Sequence, residues 1–155
     1  MPGPDTSASP AGADANGQMI LHASSVALAG SAVLIMGASG SGKSALALEL
    51  MALGATLVSD DRTLVSKQGD NLVVDAPTTI RGLIEARGVG LLKADYAGPT
   101  PLALAVDLDH EERHRFPSSY TFARSGVSVP LLYRVPHPHF SYAIFQFLKA
   151  GRSDP

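Results

Sequence analysis

From Ile20 onward the chain alternates short apolar runs with Gly, Asp and Pro breaks, a rhythm that predicts many short strands and few helices. Val26–Leu28 and Ala32–Met36, separated by Ala29-Gly30-Ser31, read as a hairpin. Ser44–Leu53 is dominated by Ala and Leu and stops at Gly54, a residue suited to the position after a helix, so a helix is predicted there. It is apolar on nearly every side, which implies burial against a sheet. Leu57–Ser59 reads as a strand, and Thr63–Lys67 pairs with Asn71–Asp75 across Gln68-Gly69-Asp70. Leu102–Leu108 and Val127–Val135 are further strand candidates, and Ser141–Ala150 is the closing helix. The fold class this predicts is α/β with a mixed, partly antiparallel sheet rather than a regular strand–helix alternation.

Residues 1–18, MPGPDTSASPAGADANGQ, stand outside this pattern. Pro, Gly, Ala, Ser and other small polar residues bury too little apolar surface to offset ordering entropy, so a mobile tail is expected. The tail has neither the cationic start nor the apolar stretch of a signal peptide. A second methionine, Met19, stands where the patterned sequence begins. The expected organisation is a disordered tail over 1–18, one domain over 19–150 and a disordered end over 151–155. A length of 155 residues, 45% of them hydrophobic and 17% charged, supplies the core for a single domain.

A net charge of −2 provides no basic field for DNA or RNA, which argues against a nucleic-acid binder. The absence of cysteine removes disulfides, thiolate zinc sites and cysteine nucleophiles together. Apolar stretches fall short of the roughly 20 residues that span a bilayer. A cytoplasmic protein, without membrane segments, is the expectation.

Gly37-Ala38-Ser39-Gly40-Ser41-Gly42-Lys43-Ser44 fits G-x-x-x-x-G-K-[ST], the Walker A or P-loop pattern, and its context agrees: an apolar run ends at Met36 and a helix follows. Glycines let backbone N–H groups turn toward a polyphosphate, and the helix start adds its positive dipole end. Lys43 is placed to reach the β- and γ-phosphates of ATP, and the Ser44 hydroxyl to ligate Mg²⁺. The plainer reading is a Gly/Ser turn into a helix.

Asp60 and Asp61 end the run Ala55-Thr56-Leu57-Val58-Ser59, seventeen and eighteen residues after Lys43. In a parallel α/β arrangement this strand end and the phosphate loop share one edge. A carboxylate there can hold Mg²⁺ or take a proton from an attacking hydroxyl. Neighbours in an extended chain face opposite ways, so the two should divide these roles. Asp107, closing the run Leu102–Val106, is a rival metal carboxylate. In Gly82–Leu92, Glu85 and Arg87 stand two apart, on one face if the segment is a strand. A strand-edge ion pair is the default reading.

His110-Glu111-Glu112-Arg113-His114 matches H-E-x-x-H, but that zinc pair needs a buried helix with apolar residues between its ligands. Here charged residues fill and flank the interval and Pro117 follows, so an exposed turn is expected. His137-x-His139, between prolines, reads as a flexible loop before a metal site.

Taken together, His22 before the first strand, the loop GASGSGKS, the Leu-Val-Ser-Asp-Asp turn and Leu83-Ile84-Glu85-Ala86-Arg87-Gly88-Val89-Gly90 resemble the catalytic domain of the HPr kinase/phosphorylase family, from His22 to about Ala150. The resemblance implies a kinase that uses ATP and Mg²⁺ to phosphorylate a serine on the small phosphocarrier HPr, and that can remove the phosphate with inorganic phosphate. It implies Asp60 as the base for the seryl proton and the acid in reverse, with Asp61 as its partner. Glu85 is then the carboxylate at the metal, Arg87 the cation beside it, and His22 a histidine near the site. It also implies a homo-oligomer, hexameric in the full-length family, which carries a further N-terminal domain; the short proteobacterial forms lack it.

The sequence departs from the family pattern at Ala38, where Asp is usual, and at Ala86, where Ile separates the signature Glu and Arg. Pro136-His137-Pro138-His139-Phe140 stands where the family has a basic loop, and the C-terminal helix is short. These changes bear on phosphorolysis and partner choice. Two other readings stay open: a P-loop kinase for a small molecule or nucleotide, and an ATP-sensing module that transfers nothing.

Overall fold

A computed structural model of the chain describes residues 17–153. Residues 1–16 and 154–155 of the expected mobile ends therefore lie outside the described residues. The elements in order are β1 (Met19–Leu21), β2 (Ala23–Leu28), β3 (Ser31–Met36), α1 (Lys43–Leu53), β4 (Thr56–Ser59), β5 (Thr63–Gln68) and β6 (Asn71–Asp75). A single 3₁₀ turn at Thr78–Ile80 leads to β7 (Leu83–Ala86), β8 (Gly90–Lys93), β9 (Thr100–Glu111), β10 (Tyr120–Arg124), β11 (Val127–Arg134) and α2 (Phe140–Ala150).

The main sheet runs β1-β5-β6-β9-β3-β2-β4, with β11 also on β9 and β10 on β11. β3 and β11 are parallel to β9, and the other pairings are antiparallel. The mixed α/β class expected from the sequence is the observed one. β9 is shared along its length: Thr100 and Pro101 pair with β6, and Ala105–Asp107 pair with β11. β7 and β8 form a separate hairpin.

β2 and β3 are joined by the two-residue turn Ala29-Gly30, with φ of 51° and 82°. That left-handed pair matches the twist of the flanking strands. β2 begins three residues earlier than its apolar pattern indicates. Ser24 and Ser25 look like a polar lead-in but are buried, because β3 and β4 flank this end of the strand.

β3 is buried on both faces, which explains its unbroken apolar run. Val33 and Ile35 face Leu46 and Leu50 of α1 and Ile144 and Leu148 of α2. Ala32 and Leu34 face Val65, Leu72, Val74 and Phe122 across the curled sheet. α1 is less enclosed than its composition implies, because Ala45, Glu49 and Ala52 are exposed.

β4 does not pair with β3; antiparallel β2 lies between them. Two reversals leave β3 and β4 pointing the same way, so their C-terminal ends share an edge as expected. The C-terminal half of β9 arrives there too, with Asp107 opposite Met36. Among the described residues, no helix is long and apolar enough to cross a membrane.

Candidate active site

The segment Gly37–Gly42 joins β3 to α1 at this edge. A Cβ at Gly37 would lie 2.5 Å from Ser41 Oγ, so the loop closes only around glycine. Gly40 and Gly42 have φ of 83° and 104°, and a Cβ on either would meet nothing within 4 Å. Their backbone is thus open to an approaching ligand. Gly42 caps α1 without any side-chain hydrogen bond, and no acidic residue occupies the first turn. The positive end of the helix is left without a carboxylate of its own. Ser41 Oγ is buried without a partner. Lys43, only 6% exposed, donates to Gly37 O at 2.8 Å and Ala38 O at 3.1 Å, so its ammonium lies against the loop. An uncapped helix start, an orphaned hydroxyl and a held ammonium together fit a polyphosphate.

β4 carries the aspartates to this loop. One extra residue, Val58, sits between the pairs Ser25–Ser59 and Val26–Leu57, a bulge that bends the strand end. Asp60 turns inward and is 8% exposed. Its Oδ1 accepts from Ser44 Oγ at 2.6 Å and Ser24 Oγ at 2.9 Å, and its Oδ2 from the Glu85 N–H at 2.9 Å. Asp61 turns outward, with φ of 69° and its side chain 59% exposed. His22 Nε2 lies 2.6 Å from Asp61 Oδ1. The two carboxylates therefore face different ways. Asp60 is thus a buried carboxylate holding three donors, whereas the Asp61 side chain is open to solvent.

The β7–β8 hairpin sits over Asp60 through the Glu85 N–H, while the Glu85 residue itself is exposed. Glu85 and Arg87 do not share a strand face. β7 ends at Ala86, and Arg87-Gly88-Val89 form a turn closed by Val89 N–H to Ala86 O at 2.9 Å. The two-residue alternation stops one position short of Arg87, which Gly88 at φ 82° could not extend as a strand.

Sequence reasoning missed two residues. Ser24, fully buried on β2, links both aspartates: its Oγ donates to Asp60 and accepts from the Asp61 N–H at 3.1 Å. Its signal was a polar residue inside a strand. Asp109 reaches the loop, its two oxygens 3.0 and 3.1 Å from the Ala38 N–H. Asp107, the rival metal carboxylate, instead accepts from the Asp109 N–H at 2.9 Å and lies 2.8 Å from His110 Nδ1. A cleft of about 670 Å³ opens beside Ser41 and Gly42, between α1 and the turn that enters α2.

Residues 15–97 match the profile of the family described as HPr Serine kinase C-terminal domain. The chain belongs to that family. Among relatives in the HPr kinase family, the HPr kinase/phosphorylase of Latilactobacillus sakei is 32% identical over 141 residues, covering 86% of this chain and 43% of the relative. The HPr kinase/phosphorylase of Caldanaerobacter subterraneus is 46% identical over 95 residues, covering 59% of this chain and 31% of the relative. The chain thus spans less than half the length of these relatives. The solved HPr(Ser) kinase/phosphatase from Coxiella burnetii has a TM-score of 0.70 and 21% identity, over 84% of this chain and 94% of that one. The HPr kinase fold is shared across nearly the whole of that structure.

The H-E-x-x-H segment of this family member is not a helix. His110 lies in the last part of β9 and His114 in the loop beyond it, so no helical face carries both. His110 stacks on Tyr133 at 5.1 Å, and Tyr133 on Tyr120 at 4.1 Å. Burial, then Tyr120, Asp107 and Glu112, push the Tyr133 phenol above its ordinary value. His137 and His139 stack at 5.8 Å in a hydrogen-bonded turn, with Phe140 N–H to His137 O and Ala143 N–H to His139 O. Among the described residues, no three His, Asp or Glu side chains converge into a metal cluster.

Proposed function

We propose that the chain is an ATP- and Mg²⁺-dependent kinase that phosphorylates a seryl hydroxyl on a small HPr-like phosphocarrier protein. The Ser44–Asp60 hydrogen bond carries this reading, because it joins a loop suited to polyphosphate to a carboxylate pair suited to metal and proton handling. Gly37–Ser44 acts as a Walker A loop, its backbone N–H groups and Lys43 holding the phosphates. Ser44, Asp60 and Glu85 would hold the metal. Mg²⁺, when bound, neutralises charge on the phosphate oxygens.

Asp61 is the proton acceptor, and His22 orients it. The substrate seryl O–H gives its proton to Asp61 as the oxygen attacks the γ-phosphorus, and the bond to the ADP oxygen breaks. Lys43 follows the charge on the transferring group, and Arg87, exposed on the β7–β8 turn, is the second cation for it. In phosphorolysis an oxygen of inorganic phosphate attacks the phosphorus of phosphoserine, and the bond from phosphorus to the seryl oxygen breaks. Asp61 returns the proton to that oxygen, and pyrophosphate leaves. The family names support both directions for the relatives. The kinase domain spans residues 19–150, works in the cytoplasm and assembles as a homo-oligomer, all by family likeness.

The test is incubation with Mg-ATP and a panel of purified HPr-like phosphocarriers, read by mass spectrometry. One seryl phosphate on a phosphocarrier is expected. Nucleotide binding with no phosphate on any of them overturns the reading.

A further inference from the structure

We propose that Ser24 is a positioning residue that sets both aspartates through one hydroxyl; the idea rests on the kinase reading above. Ser24 is completely buried on β2, on neither the loop nor the strand that bears the carboxylates. Its Oγ gives its proton to Asp60 Oδ1 and takes the Asp61 N–H. A hydroxyl is the smallest group that donates and accepts at once.

The two bonds do different things. The first aims Asp60 and leaves Ser44 on the same oxygen. The second holds the peptide of Asp61, a non-glycine residue at φ of 69° in a sparsely populated backbone region. That backbone turn is what sends the Asp61 side chain outward to His22 while Asp60 points inward. Ser24 thereby fixes the division of the pair.

Its neighbour supplies the control. Ser25 is equally buried on the same strand, but its hydroxyl bonds Thr63 Oγ1 at 3.1 Å and touches neither carboxylate. Deleting the Ser25 hydroxyl removes its bond to Thr63, whereas deleting the Ser24 hydroxyl removes the bonds to Asp60 and to the Asp61 N–H. Only Ser24→Ala frees the aspartates.

The experiment measures seryl transfer, Mg-ATP affinity and amide hydrogen exchange in the full chain. Ser24→Ala is expected to lower single-turnover transfer by about 10²-fold, the scale of a small misplacement at a reacting centre. Mg-ATP affinity should stay within about 3-fold, and exchange at the Asp61 amide should accelerate. Ser25→Ala should leave transfer within about 3-fold. In an Asp61→Asn background most of the Ser24→Ala loss should vanish, leaving only what runs through Asp60, because residues acting as a unit are not additive. Equal losses in Ser24→Ala and Ser25→Ala, or a full loss persisting in the Asp61→Asn background, would overturn the positioning role. An inactive wild-type chain overturns the kinase reading instead, whereas an unchanged Asp61 amide in Ser24→Ala overturns the Ser24 geometry alone.

Discussion

The Ser44 hydroxyl donates to Asp60 Oδ1 across 2.6 Å, tying the first turn of α1 to the end of β4. A serine that spends its proton this way keeps its oxygen lone pairs for a cation. On the proposed kinase reading, this carboxylate serves the metal and Asp61 takes the seryl proton.

Lys43→Ala removes the cation that lies against Gly37 O and Ala38 O. Mg-ATP affinity should fall by at least about 10-fold and transfer should be lost, because the ammonium follows charge onto the γ-phosphate. Calorimetric nucleotide titration and a transfer assay check this; wild-type values in both would remove Gly37–Ser44 as a phosphate loop.

Asp109 separates a hydrogen bond from a charge. Its carboxylate steadies the Ala38 N–H but also places a negative charge beside the proposed polyphosphate site. Asp109→Asn keeps an acceptor and deletes the charge, so Mg-ATP should bind several-fold more tightly at low salt, with the gain shrinking as salt rises. Asp109→Ala loses the acceptor too and should bind more weakly than Asp109→Asn. Titrations at two ionic strengths decide it, and identical affinities in the two variants would leave the latch without effect.

The β7–β8 hairpin depends on Gly82, whose φ is 72° and whose Cβ, if present, would lie 3.0 Å from Ala94 O. The backbone conformation alone costs an alanine roughly 1–2 kcal/mol. With the close contact added, Gly82→Ala should destabilise by about 2 kcal/mol, a drop in Tm of roughly 6 °C for a domain of this size. Thermal denaturation tests this, and an unchanged Tm would mean that the hairpin base relaxes freely.

Local patterns made much of this edge readable. The loop glycines, Lys43 and Ser44 form one contiguous motif, and the run ending at Asp60-Asp61 marks a strand end by itself. What stayed hidden depends on contacts between distant strands. Ser24 looked like a polar lead-in because nothing in its neighbourhood shows that β3 and β4 enclose it. Whether Glu85 and Arg87 share a strand face is equally hidden, because the alternation carries no sign of the Ala86–Val89 turn. β10 was missed for a similar reason: Tyr120–Arg124 mixes polar and aromatic residues, and its pairing with β11 across Ser125-Gly126 organises it.

The division of the aspartates is the sharpest point to test. Asn keeps the size of Asp but cannot accept a proton at neutral pH. Asp61→Asn should leave Mg-ATP affinity within a few-fold and lower seryl transfer by about 10²–10⁴, the usual contribution of a positioned base. His22→Gln should give a smaller loss in the same direction, since His22 orients Asp61 without taking the seryl proton. Asp60→Asn acts elsewhere. It disturbs the acceptor of Ser44, Ser24 and the Glu85 N–H together, so nucleotide affinity and Mg²⁺ dependence should shift along with rate. Nucleotide titration across a range of Mg²⁺, combined with single-turnover transfer, separates the two patterns. An Asp61→Asn enzyme with wild-type transfer, or an Asp60→Asn enzyme that loses rate while keeping its Mg²⁺ dependence, would return the proton-accepting role to Asp60.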